Sequence, residues 1–266
     1  MELEEVIYEK SEGIATITIN KPEKYNAFGA RTVQELIYSF RDAWDDNRVG
    51  VVILTGAGDK AFCAGGDQKD RDSGGYGTNG GLTGGMGLEM ETLHYVMRNI
   101  PKPVIAAVNG YAIGGGHVLH VICDLSIASE RAIFGQSGPK VGSYDAGFGS
   151  AYLARIVGEK KAREIWYLCR KYSADEAYEM GLVNKVVPHE QLMEEARDWA
   201  NEMLEKSPTA LKMLKYSFNA DSASIAGINQ MALGSLAMFY ETDEALEGKN
   251  AFIEKRPVDF SQFRSS

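Results

Sequence analysis

Residues 101–116 read PKPVIAAVNGYAIGGG, and the fold turns on how that stretch divides. Positions 103–108 are apolar without a break, too short for a helix, and bounded by proline on one side and Asn109-Gly110 on the other. That pattern predicts a buried strand. Gly114, Gly115 and Gly116 then open a short helix through His117, Leu119 and Ile122. Working outward, 51–55 (VVILT) is a second buried strand turned by Gly56-Ala57-Gly58-Asp59. Residues 124–129 and 183–187 predict further strands, the last closed by Pro188. Residues 5–20 predict a hairpin around Ser11-Glu12-Gly13. Helical spacing covers 32–46, where Val33, Leu36, Ile37, Phe40 and Trp44 share a face. Further helices are expected at 89–100, 160–171, 174–180, 191–205, 208–219, 223–240 and 242–254. Strand and helix thus alternate first and helices dominate the last third, an α/β chain without an internal repeat or a clean linker.

Composition bounds the rest. The chain has 266 residues, 44% hydrophobic and 24% charged. These values suit a globular protein and exclude a disordered or collagen-like chain. No apolar run approaches the ~20 residues of a membrane span. The acidic start, Met1-Glu2-Leu3-Glu4-Glu5, resembles neither a secretory signal nor an Arg-rich transit peptide. Cys63, Cys123 and Cys169 cannot all pair and lack metal spacing, so a cytoplasmic location is expected. The net charge of -9 argues against nucleic acid as a partner.

Several residue groups could carry chemistry. Two glycine clusters follow strands, Cys63-Ala64-Gly65-Gly66-Asp67 and Ile113-Gly114-Gly115-Gly116. Free N–H groups at two such places could hold one carbonyl oxygen as it becomes an oxyanion. Close packing of helix on strand is the plain alternative. His117, His120 and Cys123 are spaced i, i+3, i+6, which spreads them over different helix faces and favours packing over a metal site. Asp145 beside Ser143 could serve as an acid/base pair, or simply form a turn or cap. Residues 73–87 hold eight glycines and read as a lid or a loose connector. Lys69 and Arg71 precede that segment, and Lys249, Lys255 and Arg256 cluster near the C-terminus; each alone is as readily a solvated charge.

Taken in order, NKPEKYNAF (20–28), GVVILTGAGDKAFCAGGD (50–67), PKPVIAAVNGYAIGGG (101–116), CDLSIAS (123–129), IFGQ (133–136) and GLVNKVV (181–187) resemble the crotonase (enoyl-CoA hydratase/isomerase) superfamily. The resemblance implies a ββα spiral core with two crossed sheets over 1–200. It implies a helical C-terminal region, 201–266, that builds a homotrimer or a homohexamer. It implies an acyl-CoA substrate, with coenzyme A present as the thioester and no tightly bound cofactor. The oxyanion N–H groups would belong to Gly66 and Gly115. Lys24, Ala27, Ala64 and Asp67 would line the coenzyme A site.

Hydratases of this superfamily carry two glutamates where this chain has Val118 and Gly138. The stretch GPKVGSYDAGFGSAYLARIVGEKKAREIWYLCR (138–170) instead resembles the branch of 1,4-dihydroxy-2-naphthoyl-CoA synthases and 2-ketocyclohexanecarboxyl-CoA hydrolases. That likeness implies catalytic roles for Ser143 and Asp145, and for Tyr240 supplied by a neighbouring subunit. It implies a bicarbonate ion held by Gln136, Gly138 and Trp166 in one synthase type. It places Lys69, Arg71 and Tyr76 against substrate, and Phe252 and Lys255 at the adenine end of coenzyme A in a neighbouring subunit. NAFGART (26–32) lacks the arginine usual in the branch, and GLEMETLHYVMR (87–98) and MALGSLAMFY (231–240) look more like the ring-opening hydrolases. The expected activity is therefore hydrolytic opening of a cyclic 3-oxoacyl-CoA through a thioester enolate. Ring closure of o-succinylbenzoyl-CoA is the alternative. A non-catalytic acyl-CoA-binding or RNA-binding relative is the third class, its RNA form disfavoured by the acidic balance.

Overall fold

The computed structural model describes residues 2–68, 71–72, 75–76 and 88–264. The chain opens with an antiparallel hairpin of β1 (Val6–Ser11) and β2 (Ile14–Ile19). Then come α1 (Ala30–Asp45), β3 (Val51–Gly56) and β4 (Ala61–Cys63). The two-residue strands β5 (Arg71–Asp72) and β6 (Gly75–Tyr76) pair with each other. Next are α2 (Met90–Asn99), β7 (Val104–Val108), β8 (Tyr111–Ile113), α3 (Gly115–Ile122), β9 (Leu125–Ser129) and β10 (Ile133–Gly135). A π-helical turn, Phe148–Tyr152, leads into α4 (Leu153–Val157) and α5 (Glu159–Leu168). After β11 (Lys171–Ser173), α6 (Ala174–Glu179) and β12 (Lys185–Val187) come α7 (Leu192–Leu204), α8 (Pro208–Asp221), α9 (Ala223–Tyr240) and α10 (Asp243–Glu254).

One sheet runs β1-β2-β3-β7-β9-β12, and a smaller one runs β11-β10-β8-β4. Three times in succession, β3 then β4, β7 then β8, β9 then β10, the chain places one strand in the large sheet and the next in the small one. The connecting turns stack and are tied by asparagines. Asn109 Nδ2 donates to the Gly56 and Gly58 carbonyls at 2.8 and 2.7 Å. Asn26 Nδ2 donates to Ala61 O at 2.7 Å and Ala57 O at 3.0 Å. A Cβ at Gly110 would lie 2.2 Å from Lys60 O, so only glycine lets these turns approach.

The unbroken apolar run of β3 follows from burial on both faces. Val52 and Leu54 join the main core with Phe40, Phe62 and Phe134. Val51 and Ile53 face the other way, onto Leu192, Ala196 and Ala200 of α7. The small sheet escapes a reading of the sequence because its strands are three residues long, too short for a period to show. The expected helix 160–171 is corrected for the same reason. It ends at Leu168, Cys169 takes a left-handed φ of 49°, and Lys171–Ser173 pairs with β10.

The N-terminus is fastened by one buried carboxylate. The backbone N–H groups of Glu4, Glu5 and Val6 donate to Glu35 on α1, the last two at 2.8 and 2.9 Å. His117, His120 and Cys123 pack in the interior, with the two imidazoles edge to face at 4.8 Å. Among the described residues, no His/Cys/Asp/Glu group is placed to hold a metal ion, and no helix is long and apolar enough to cross a membrane.

Candidate active site

A cavity of about 750 Å³ opens where the small sheet, the start of α3 and the helices α9 and α10 converge. Gly66 and Gly115 both line it. Phe28 N–H donates to Gly65 O, and Asp67 N–H donates to Phe28 O, each at 2.9 Å. These bonds flank Gly66 and leave its own N–H without a protein partner among the described residues. Gly115 is the first residue of α3, where an N–H has no intrahelical acceptor. A Cβ on Gly65 would stand 3.0 Å from Gly115 N, and one on Gly115 would stand 2.6 Å from Phe28 Cζ. The two donors thus sit on segments in direct contact, with the helix dipole behind one of them. That arrangement can stabilise a developing oxyanion.

Ser143, Asp145 and Tyr240 share the same cavity. Ser143 Oγ and Tyr240 OH are hydrogen-bonded at 2.8 Å. The resemblance implies a tyrosine from a neighbouring subunit; here α9 folds back over its own core, and buried Tyr240 meets Ser143 of the same chain. Asp145 accepts one bond, from Gly149 N–H at 2.9 Å. Burial pushes its carboxyl up to about 6, and the Gly149 bond offsets only part of that. Of the other carboxylates in the wall, Asp67 is ion-paired with Lys24 at 2.8 Å, and Glu23 is exposed at the mouth. Asp145 has no cation partner among the described residues.

The two positions where hydratases carry glutamate are closed. Val118 is fully buried within α3. A Cβ at Gly138 would lie 2.7 Å from Ser143 O and 3.1 Å from the Trp166 ring. Gln136, Gly138 and Trp166 do come together at the cavity wall. The Trp166 indole N–H donates to Gly149 O. Gln136 Nε2 stands 3.2 Å from His117 Nδ1, while its Oε1 is buried without a partner.

Lys24, Ala27, Ala64 and Asp67 all line the cavity. Phe252 lines it too, while Lys255 lies outside the wall. Lys69 lies outside the described residues, as does most of the glycine-rich 73–87 segment. Arg71 and Tyr76 are described through their backbones alone, which pair with each other. The sequence reading missed the rim formed by Tyr25, Tyr111 and Lys171. Tyr25 and Tyr111 meet edge to face at 6.3 Å, and Lys171 Nζ lies 5.0 Å from the Tyr111 ring centre. The small sheet brings Tyr111 and Lys171 together and the turn at Pro22–Lys24 sets Tyr25 beside them, so no local signal could have found the rim. At the apolar end, beside Leu88, Met90, Leu233 and Leu236, lies His94. Burial lowers the His94 imidazole to about 4, so it is neutral at pH 7.

Residues 9–263 match the family model described as enoyl-CoA hydratase/isomerase. An enoyl-CoA hydratase structure from Bacillus anthracis is 31% identical, with a TM-score of 0.72 over 97% of this chain and 99% of that one. An enoyl-CoA hydratase structure from Mycobacterium avium subsp. paratuberculosis K-10 is 25% identical, with a TM-score of 0.86 over 98% of this chain and 100% of that one. A methylmalonyl-CoA decarboxylase in complex with 2-nitronate-propionyl-CoA is 25% identical, with a TM-score of 0.83 over 97% of this chain and 99% of that one.

Proposed function

Because this chain belongs to the enoyl-CoA hydratase/isomerase family, we propose that its cavity opens the ring of a cyclic 3-oxoacyl-CoA by hydrolysis. The observation that carries this reading is the exchange of carboxylates. Both hydratase positions are closed, and Asp145 is a partly buried carboxylate free of any ion pair among the described residues, its carboxyl pushed up to about 6. A base of that kind suits removal of a proton from water.

In the proposed sequence Asp145 takes a proton from a water that adds to the ring ketone carbon. The tetrahedral adduct collapses, and the bond between that carbon and the thioester α-carbon breaks. Its electron pair passes to the thioester as an enolate, whose oxygen is held by the Gly66 and Gly115 N–H groups. Asp145 passes the proton it took from water to the α-carbon, which yields an acyl-CoA with a carboxyl group at its far end, one water heavier than the substrate. Ser143 and Tyr240 act as a coupled donor to the ketone oxygen. Lys24, Lys171 and the Tyr25/Tyr111 rim receive the coenzyme A portion, where cations and aromatic faces suit phosphate and adenine. The exposed Phe218, Met231 and Met238 on α8 and α9 support a role for 201–266 in subunit assembly.

Mass spectrometry of an incubation with 2-ketocyclohexanecarboxyl-CoA tests the reading. Gain of one water supports it. No reaction there, together with loss of one water from o-succinylbenzoyl-CoA, replaces it with ring closure.

A further inference from the structure

Arg98 on α2 is only 5% exposed, yet it forms no ion pair with a carboxylate among the described residues. Arginine is rarely buried without an acid, because a desolvated charge is costly. Its guanidinium lies over the Tyr152 and Phe148 rings, 4.5 and 5.2 Å from their centres, and donates to Ser222 Oγ. Those contacts settle the faces of the guanidinium and one nitrogen, and its other N–H groups make no hydrogen bond to the described residues. The residue lines a second cavity of about 690 Å³ between α2, α8 and α9, separate from the acyl-CoA cavity and sharing only His94 with it. Arg41, Asn219, Asn229 and Gln230 stand in the same wall, with Glu91 its single acid.

We infer that this second cavity is a binding site for a small organic carboxylate, received by the guanidinium edge of Arg98 with the Gln230 amide as a further donor. A planar guanidinium held flat between rings is oriented for two parallel bonds to a carboxylate. Gln230 adds an amide at the exposed rim, and Asn219 Nδ2 donates to Arg98 O at 2.8 Å, which ties α8 to the residue. The cavity also adjoins the catalytic loop: Asn229 Cα would lie 2.6 Å from a Cβ on Gly147, two residues beyond Asp145. Its occupant therefore rests against the segment that carries the acid/base group. This site does not depend on which acyl-CoA the main cavity turns over.

The test is calorimetric titration of the intact protein with glutarate, in low salt and with saturating coenzyme A. Saturable binding of one glutarate per chain is expected. Arg98→Met should weaken it at least about tenfold, as should Gln230→Glu, which places a competing charge in the wall at an exposed position. Gln230→Glu keeps the test decisive if Arg98→Met fails to fold. Inorganic phosphate should bind more weakly than glutarate. Absence of saturable binding, displacement of glutarate by coenzyme A, unchanged affinity in a folded variant, or tighter binding of phosphate would each overturn the assignment.

Discussion

Ser143 and Tyr240 are 97 residues apart in sequence and joined side chain to side chain by a 2.8 Å hydrogen bond at the cavity wall. If they act as one donor unit, their effects are not additive. Ser143→Ala and Tyr240→Phe should each lower kcat by about tenfold or more, and the double variant should be little worse than the poorer single one. Steady-state kinetics on the four proteins measures the coupling. Multiplicative losses would separate the two groups.

Asp145→Asn should reduce kcat by roughly 10²-fold or more if Asp145 is the base. The pH dependence follows from its raised carboxyl, pushed up to about 6 by burial. A base works when ionised, so kcat/KM should rise through about pH 6 and then level off. An opposite slope would make Asp145 an acid.

The same shift acts on stability. The folded chain holds this proton more tightly than the unfolded one, whose carboxyl titrates near 3.8. Stability from this group is therefore present below the unfolded value and lost as pH rises through about 6. Asp145→Asn should raise the melting temperature at pH 8 relative to the unsubstituted protein and leave it nearly unchanged at pH 4. Thermal melts at the two pH values decide it.

At Gly115 an added methyl would meet Phe28 Cζ at 2.6 Å. Gly115→Ala should displace the α3 donor from its Gly66 partner. A lost oxyanion donor is typically worth ~3–4 kcal/mol, so kcat should fall by at least about 10²-fold with a smaller change in KM. A circular dichroism spectrum matching the unsubstituted protein is the control. Near-normal kcat would remove Gly115 from the oxyanion site.

Glu35 satisfies backbone donors from three successive residues while only 1% exposed. Glu35→Ala should cost ~3 kcal/mol by denaturant titration, since it strands those N–H groups near the core edge. Activity of the folded fraction should be unchanged, because Glu35 does not line the cavity. A loss below 1 kcal/mol would show that the N-terminal strand holds by packing alone.

Much of this molecule can be read along the chain. The apolar runs of β3 and β7 stand out because burial on both faces demands an unbroken stretch. The helices α1 and α7 to α10 stand out because an amphipathic or buried helix of this length repeats its pattern several times. The glycine clusters at 65–66 and 114–116 are visible because a donor loop in close contact admits no side chain. In each case the constraint is local, so a single segment carries its whole signature.

Tertiary structure alone decided the rest. It assembled the small sheet from strands three residues long and brought Tyr25, Tyr111 and Lys171 to one rim. It turned Trp166 toward Gly149 O, set Tyr240 on Ser143, and left Arg98 buried without an acid among the described residues. These are pairings between distant residues, set by which elements pack together. A sequence states which residues could be buried or could donate a bond. The donor each acceptor receives, and the solvent each charge loses, exist only once the chain has closed on itself.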